Sequence, residues 1–513
     1  MLHANAVAAF DSALARVNGE PVLDGLRDVL RHARAHLDEP MRVALIGRIC
    51  AGKSTLLNAL LGASVAPTGA EELTFNVNVL RYAPESGLLV HFKDGRTPEP
   101  RAPEEFAALV SRSEDGFLRS IRHVELLRPI EVLRTLEFID TPGLQSFFGD
   151  DSANTMRSLG ITTDDIEQAT RRESSLADAL LCLMPRSIAS SDQSVVEQFQ
   201  GPLLGNATPI NTIGVLTKVD AYWDANEPDR DPLVEGARVA ASIHASRGAD
   251  RVFYAVLPAC GLLGIGAHTV VDDDVEALLS LSAMPREQLL EMLAFAPDFV
   301  APDYDVAVTP ELRASLLDRL GQYGIWVATT LVRDCTDVAS LREELFARSG
   351  VKAVRELVVS HFGHRALLIK AERGLRLSRA ETLKARGEAA AAEAGGILEA
   401  LECGEPAFGE LALLKRYYQD AAALALREGE ARELLQVTAE FGTTLTARLG
   451  LPADAPPAEL VAVAEARLRS WRRREHAFGA DPRATATARV MAGAYERLVY
   501  HAREARRHLE LQA

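Results

Sequence analysis

Met41-Arg42-Val43-Ala44-Leu45-Ile46-Gly47-Arg48-Ile49-Cys50-Ala51-Gly52-Lys53-Ser54-Thr55-Leu56-Leu57-Asn58-Ala59-Leu60-Leu61 joins an apolar run of strand length to an apolar run of helical length through a turn bounded by glycine. Its centre, Gly47 to Ser54, fits GxxxxGK[ST], and the flanking runs supply the strand before and the helix after that this pattern requires. Glycines at 47 and 52 let backbone N–H groups approach phosphate oxygens, and the helix start adds a favourable dipole. Lys53 is expected to reach the β- and γ-phosphates of a nucleotide, and Ser54 to offer its hydroxyl to Mg²⁺. Gly47, Arg48, Ile49, Cys50, Ala51, Gly52, Lys53, Ser54 and Thr55 form the expected phosphate-binding stretch.

Two later segments extend this reading. Leu136-Glu137-Phe138-Ile139-Asp140 is an apolar strand ending in a carboxylate, followed by Thr141-Pro142-Gly143. Strand ends of an α/β sheet are where ligands are reached, so Asp140 is expected to hold Mg²⁺ through water. Gly143, lacking a side chain, is expected to present its N–H to the γ-phosphate. Thr217-Lys218-Val219-Asp220 follows another apolar strand and matches [NT]KxD. A carboxylate at Asp220 accepts two hydrogen bonds from guanine, whereas adenine offers no such pair, so GTP and GDP are the expected ligands. Lys218 is expected to lie along the purine plane.

Short apolar runs alternate with helical stretches from Met41 onward: Arg42 to Ile46, Val77 to Arg81, Leu88 to Phe92, Thr135 to Ile139, Ala179 to Met184, Ile210 to Leu216 and Val252 to Leu257. This alternation predicts an α/β phosphate-loop domain with a mixed, mostly parallel sheet. Before it, residues 3 to 38 read as two amphipathic helices, one with Val7, Phe10, Leu14 and Val17 on a face, the other with Leu23, Leu26, Leu30, Ala33 and Leu37. After residue 362 no strand pattern appears, and Ala, Glu, Leu and Arg dominate at helical spacing. The expected organisation is N-terminal helices over 1–40, an α/β domain over 41–362 and a helical bundle over 363–513.

At 513 residues the chain exceeds what one hydrophobic core serves. A formal charge of −16 opposes general nucleic-acid binding, so no nucleic-acid partner is expected. The five cysteines form no CxxC pair, which fits a reducing compartment. No apolar run reaches the roughly 18 to 20 residues a membrane-crossing helix needs, and no signal peptide is apparent. A cytoplasmic location is expected.

Pro67-Thr68-Gly69-Ala70-Glu71-Glu72-Leu73-Thr74, followed by Val79-Leu80-Arg81-Tyr82, resembles the switch region of bacterial dynamin-like GTPases, where a Pro-Thr-Gly turn precedes a magnesium-binding threonine. Leu320 to Gly324 ahead of a long helix, and Ser349-Gly350 opening another, look like the end of the GTPase domain in the same family. The likeness is strongest to the isoniazid-inducible dynamin-like proteins of actinobacteria. It implies that Thr74 is a second Mg²⁺ hydroxyl, and that helices from both chain ends join in a neck or stalk bundle. It also implies hydrolysis of GTP to GDP, coupled to assembly and to remodelling or maintenance of the cytoplasmic membrane. The implied partners are further copies of the chain, or a paralogous dynamin-like protein in a heteromer.

Some residues depart from the family pattern. Eukaryotic dynamins carry Gln and Ser where this chain has Ile49 and Cys50, and an isoleucine cannot hydrogen-bond the attacking water. Catalysis is therefore expected to rest on Lys53, Thr74 and the backbone at Gly143, with slow turnover by the chain alone. The same departure fits an alternative, a GTP-binding, weakly hydrolysing scaffold or regulatory partner of a paralogue. The base-contacting turn reads Pro258-Ala259-Cys260-Gly261, with Ala259 and Cys260 expected at the base and cysteine in place of the usual serine. For an anionic membrane surface the candidate segments are Phe408 to Tyr418 and the basic stretch Arg467 to Arg474. His32 with His36, and His361 with His364, have helical spacing for a metal but no third ligand nearby in sequence.

Overall fold

The computed structural model describes residues 2–47, 50–66, 77–106, 109, 120–140, 177–185, 207–246, 248–302, 304 and 306–512. Two compact units emerge: Pro40–Phe362, and Met1–Glu39 together with Gly363–Ala513.

The first unit is built on a nine-stranded sheet. Its strands are β1 Met41–Gly47, β2 Val77–Tyr82, β3 Gly87–Phe92, β4 Glu99–Arg101, β5 Ile121–Arg128, β6 Leu136–Asp140, β7 Ala179–Pro185, β8 Thr212–Thr217 and β9 Val256–Ala259, in the order β4-β3-β5-β2-β6-β1-β7-β8-β9. β6, β1, β7, β8 and β9 run parallel, β2 is antiparallel to β6, and β3 pairs antiparallel with both β4 and β5. The sheet is thus mixed and mostly parallel, as the alternation predicts. β6, β7 and β8 are buried along their whole length, which suits central parallel strands covered on both faces and explains the mainly apolar sequence of β7 and β8.

Three differences from the sequence reading have physical causes. β5 was not expected: IRHVELLR sets His123 and Glu125 on one face and Arg122 and Arg128 on the other, which hides its strand character. β9 starts at Val256 instead of Val252, because Ala249–Arg251 form a 3-10 turn and Phe253 anchors the chain in the core before the strand begins. Leu320 to Gly324 do not precede a helix but lie within the helical segment Pro310–Leu331, which breaks at Gly321 with φ 67° and ψ 173°. The left-handed φ there favours glycine.

The second unit is built from helices joined by turns, with no strand among its described residues. Helices α1 Leu2–Val17 and α2 Asp24–His36 bury Ala6, Phe10, Ala13, Val17, Leu26 and Leu30, in one cluster with Ala371, Leu375, Ala391, Ala394, Leu398, Leu401 and Phe408. Both chain ends therefore share one core. Small residues at 6 and 13 take the deepest positions, and Val7 and Leu14 sit partly buried beside them. The helix Ala366–Lys384 approaches α1 so closely that a Cβ on Gly374 would stand 2.9 Å from Phe10 Cζ. Lys370 on that helix donates to Leu37 O at 3.0 Å and Glu39 O at 2.6 Å, satisfying carbonyls at the end of α2. Phe10 is fully buried, so Phe10→Ala should cost about 3–5 kcal/mol of stability, read as a lowered midpoint in a denaturant melt.

The segment Phe408 to Tyr418 lies in the helix Pro406–Asp420, where Phe408, Leu411, Leu413 and Leu414 are buried and Lys415 pairs with Glu372 at 2.8 Å. Its apolar face is occupied by packing, not offered to a membrane. The basic stretch lies on the helix Pro457–Glu475, which packs against Pro482–Gln512. Arg469 pairs with Glu465, Arg472 with Glu475 and Glu496, and Arg474 with Glu430. Most of its charge is thus matched within the unit. No helix among the described residues is long and apolar enough to cross a membrane.

Candidate nucleotide site

The carboxyl ends of β1, β6, β8 and β9 carry most of the residues singled out by the sequence. β1 runs into a turn in which Cys50 (φ 57°) and Gly52 (φ 84°) adopt left-handed backbone, and the helix Lys53–Leu61 starts immediately after. The register of β1 on β6 sets Leu45 opposite Asp140, so the carboxylate ends its strand beside the turn. Ser54 Oγ donates to Asp140 Oδ2 at 3.4 Å, and Lys53 Nζ donates to Gly47 O at 3.4 Å.

This cluster is electrostatically incomplete. Burial holds the Lys53 ammonium below its ordinary value, partly offset by Asp140. Burial also raises the Asp140 carboxyl to about 6, against the opposing pull of Lys53, Ser54 and Asn78. Asp140 Oδ1 is buried and has no hydrogen-bond partner among the described residues. An orphaned carboxylate oxygen next to a serine hydroxyl is an oxygen donor set that suits Mg²⁺, a hard cation.

β8 ends at Thr217, whose Oγ1 donates to Ala51 O at 2.7 Å and ties this strand end to the turn after β1. Lys218 is exposed and left-handed at φ 59°, and Val219, fully buried, pins the short 3-10 turn that carries Asp220. β9 brings Ala259 and Cys260 to the same edge. Cys260 caps the helix Gly261–Thr269 by accepting from Leu263 N at 3.4 Å, and burial followed by the nearby Asp220 pushes its thiol well up. A neutral thiol therefore stands beside Asp220 where a serine hydroxyl is usual. Close packing fixes this: a Cβ on Gly264 of that helix would meet Ala59 of the helix after β1 at 3.0 Å.

Among the described residues the structure thus gathers Gly47, Cys50, Ala51, Gly52, Lys53, Ser54, Thr55, Asp140, Thr217, Lys218, Asp220, Ala259 and Cys260 along one sheet edge. Arg48, Ile49, Thr74 and Gly143 lie outside the described residues. Two residues were missed. Asn78, opposite Asp140 on β2 and buried, bonds to its carboxyl; its only signal was a polar residue within an apolar strand. Asn58, in the middle of an apolar helix, accepts from Val65 N and Ala66 N and donates to Ala66 O, so it fixes the chain just before Pro67. The histidine pairs go elsewhere: His32 bonds Asp28 O, and His361 bonds Pro209 O while stacking on Tyr254.

A model described as the dynamin family matches residues 43–219, from β1 to the turn after β8. The isoniazid-induced protein IniC of Mycobacterium tuberculosis is 30% identical over 472 residues, covering 91% of this chain and 91% of that protein. Dynamin-like protein 2 of Campylobacter jejuni is 33% identical over 121 residues, 24% of this chain and 19% of that one. A chain from an oligomerised bacterial dynamin pair aligns over 100% of this chain and 76% of its own with a TM-score of 0.37 and 12% identity. By the family match and by a relative alike over nearly its full length, the chain belongs to the dynamin family, as a bacterial dynamin-like GTPase-family protein of the isoniazid-induced kind.

Proposed function

We propose that this chain binds GTP with Mg²⁺, hydrolyses it to GDP and phosphate, and couples the cycle to assembly and to remodelling or maintenance of a membrane. The observation that carries the reading is the cluster of buried Lys53 and Asp140 with Ser54, Asp140 Oδ1 being left without a hydrogen bond among the described residues. Mg²⁺, when bound, would supply charge that offsets the phosphates and favours the Asp140 carboxylate. Ser54 and Asp140 would hold it, with Thr74 proposed as a further ligand. Backbone N–H groups from Gly47 to Thr55 would cradle the phosphates, Lys53 would stabilise negative charge as the bond to the γ-phosphate breaks, and the N–H of Gly143 would contact that phosphate. Asp220 would read guanine, flanked by Lys218, Ala259 and Cys260. Ile49 cannot orient water, so turnover by the chain alone should be slow and should rise on assembly, with further copies or with a paralogous dynamin-like protein.

The test is phosphate release from GTP by the purified chain, alone and with anionic vesicles. Absence of both GTP binding and release in every condition would overturn the reading. For membrane contact we propose a place the sequence did not suggest. Phe478, in the turn between Pro457–Glu475 and Pro482–Gln512, is fully exposed, with exposed Arg473 on the preceding helix and Arg483, paired to Asp481, on the following one. An apolar tip with flanking cations suits an anionic bilayer surface. Phe478→Asp should reduce flotation with anionic vesicles severalfold while leaving GTP affinity unchanged; undiminished flotation would exclude this turn.

Acid should weaken nucleotide binding. The Asp140 carboxyl, raised to about 6 from 3.8, gives the folded nucleotide-free chain a proton that the unfolded chain lacks between those values. Its contribution to stability is therefore fully present below 3.8 and is lost as pH rises through 6. Metal coordination needs the ionised form, so it responds in the opposite sense. From pH 7.5 to 5.5 the ionised fraction falls to about a quarter, and calorimetric Mg²⁺-dependent affinity should fall roughly fourfold after correction for the nucleotide's own protonation.

A further inference from the structure

We propose that His91, His123 and Glu125 form a site for a divalent transition-metal ion of the zinc type, distinct from the nucleotide pocket and independent of the function proposed for it. His91 on β3 and His123 on β5 are direct cross-strand partners. Glu125 lies two residues beyond His123, so strand alternation puts it on the same face. One donor atom from each residue lies within 4.8 Å of the other two. His91 Nε2 is 2.9 Å from Glu125 Oε2, and the two imidazoles stack with centroids 4.1 Å apart and planes 17° apart.

Zn²⁺ takes imidazole nitrogen and carboxylate oxygen at about 2.0–2.2 Å, which sets donor atoms roughly 3.3–3.5 Å apart around a tetrahedron. Closing the cluster needs a movement of at most about 1.5 Å, with the two rings turning their edges toward a common point and water filling the fourth position. Side-chain rotation suffices. The strands need not move, because the pairing of β3 with β5 already fixes both Cα atoms.

An independent observation points to a ligand here. His123 Nδ1 is buried without a hydrogen-bond partner among the described residues, an expensive state for a ring nitrogen. The site remains reachable, with His91 and Glu125 side chains 25% and 10% exposed.

Arg81, 3.1 Å from Glu125, opposes a cation, as do Arg42 and Arg122 through their charge at His123. It also lies 2.9 Å from Glu137, which Arg42 holds in place, so Arg81 keeps a partner when Glu125 turns to the ion. An ion here would pin β3 to β5 near the start of β2, where Val77 stands opposite His123 and Asn78 opposite Asp140.

The test uses the full chain, stripped with chelator and kept in excess Mg²⁺, titrated with Co²⁺ and then Zn²⁺. Expected are one equivalent of Co²⁺ with the visible absorption of a tetrahedral site, its displacement by Zn²⁺, and a raised melting temperature with Zn²⁺. His123→Ala and, separately, His91→Asn should each weaken binding at least tenfold, while His32→Ala should leave it unchanged. His91→Asn keeps a polar, partly exposed side chain, so circular dichroism of that variant separates lost ligation from lost fold. Absence of the Co²⁺ band in the parent chain, or its survival in both variants, would overturn the assignment.

Discussion

Replacing Lys53 with alanine should lower GTP turnover by about 10²–10³-fold, a loss of roughly 2.7–4 kcal/mol of transition-state stabilisation. The Lys53 ammonium is buried at the start of the helix after the β1 turn, next to the Asp140 carboxyl. In the proposed reading, removing it takes away a charge that would act on the phosphates. The fold should survive. Burial raises the Asp140 carboxyl to about 6, and losing the opposing pull of Lys53 raises it further, so the variant can take up a proton instead of burying an uncompensated carboxylate. Phosphate release and a thermal melt, measured on the same preparation, separate the two effects. A variant that melts like its parent and still hydrolyses GTP at the parent rate would remove Lys53 from the chemistry.

What could be read before any coordinates was whatever local patterns encode. The strand-turn-helix around Lys53 and the runs ending at Asp140 and Thr217 are contiguous, so their types and order were legible, and with them the α/β class. The N-terminal helices were legible for the same reason, since Phe10, Val17, Leu26 and Leu30 repeat at helical spacing. That their core is completed by residues beyond 363 was suggested by family likeness, because contacts such as Phe10 against Gly374 leave no trace in spacing. β5 and the cluster on it were hidden. His91, His123 and Glu125 meet only through the pairing of β3 with β5, and the polar face they create disguised the strand that carries two of them. Asn78 was invisible as a partner of Asp140 because the antiparallel register of β2 on β6 lies in the pairing, not in either segment. Phe478 was not singled out, because a phenylalanine in a turn carries no sign of its exposure in the sequence.

Asp220→Asn should exchange one nucleotide preference for another. In the reading proposed above, the Asp220 carboxylate would offer two acceptors to the N1–H and exocyclic amine of guanine, and each such bond to a charged group contributes about 1.5–3 kcal/mol. An asparagine amide keeps one acceptor and turns the other position into a donor, which then faces a donor on guanine. GTP affinity should fall by about 10²–10⁴-fold, since an unmatched buried polar group costs more than a missing contact. Xanthine carries an oxygen where guanine carries the amine, so the same amide suits it, and xanthosine triphosphate should bind the variant better than GTP does. The surroundings favour a clean exchange. Asp220 is held by the turn that buried Val219 pins, and the thiol beside it on Cys260 stays neutral, so the substitution alters the donor pattern without freeing a new charge. Competition calorimetry with GTP, ATP and xanthosine triphosphate reads the outcome directly. If the asparagine variant keeps its preference for GTP, the base is read by some other group and Asp220 serves only the turn.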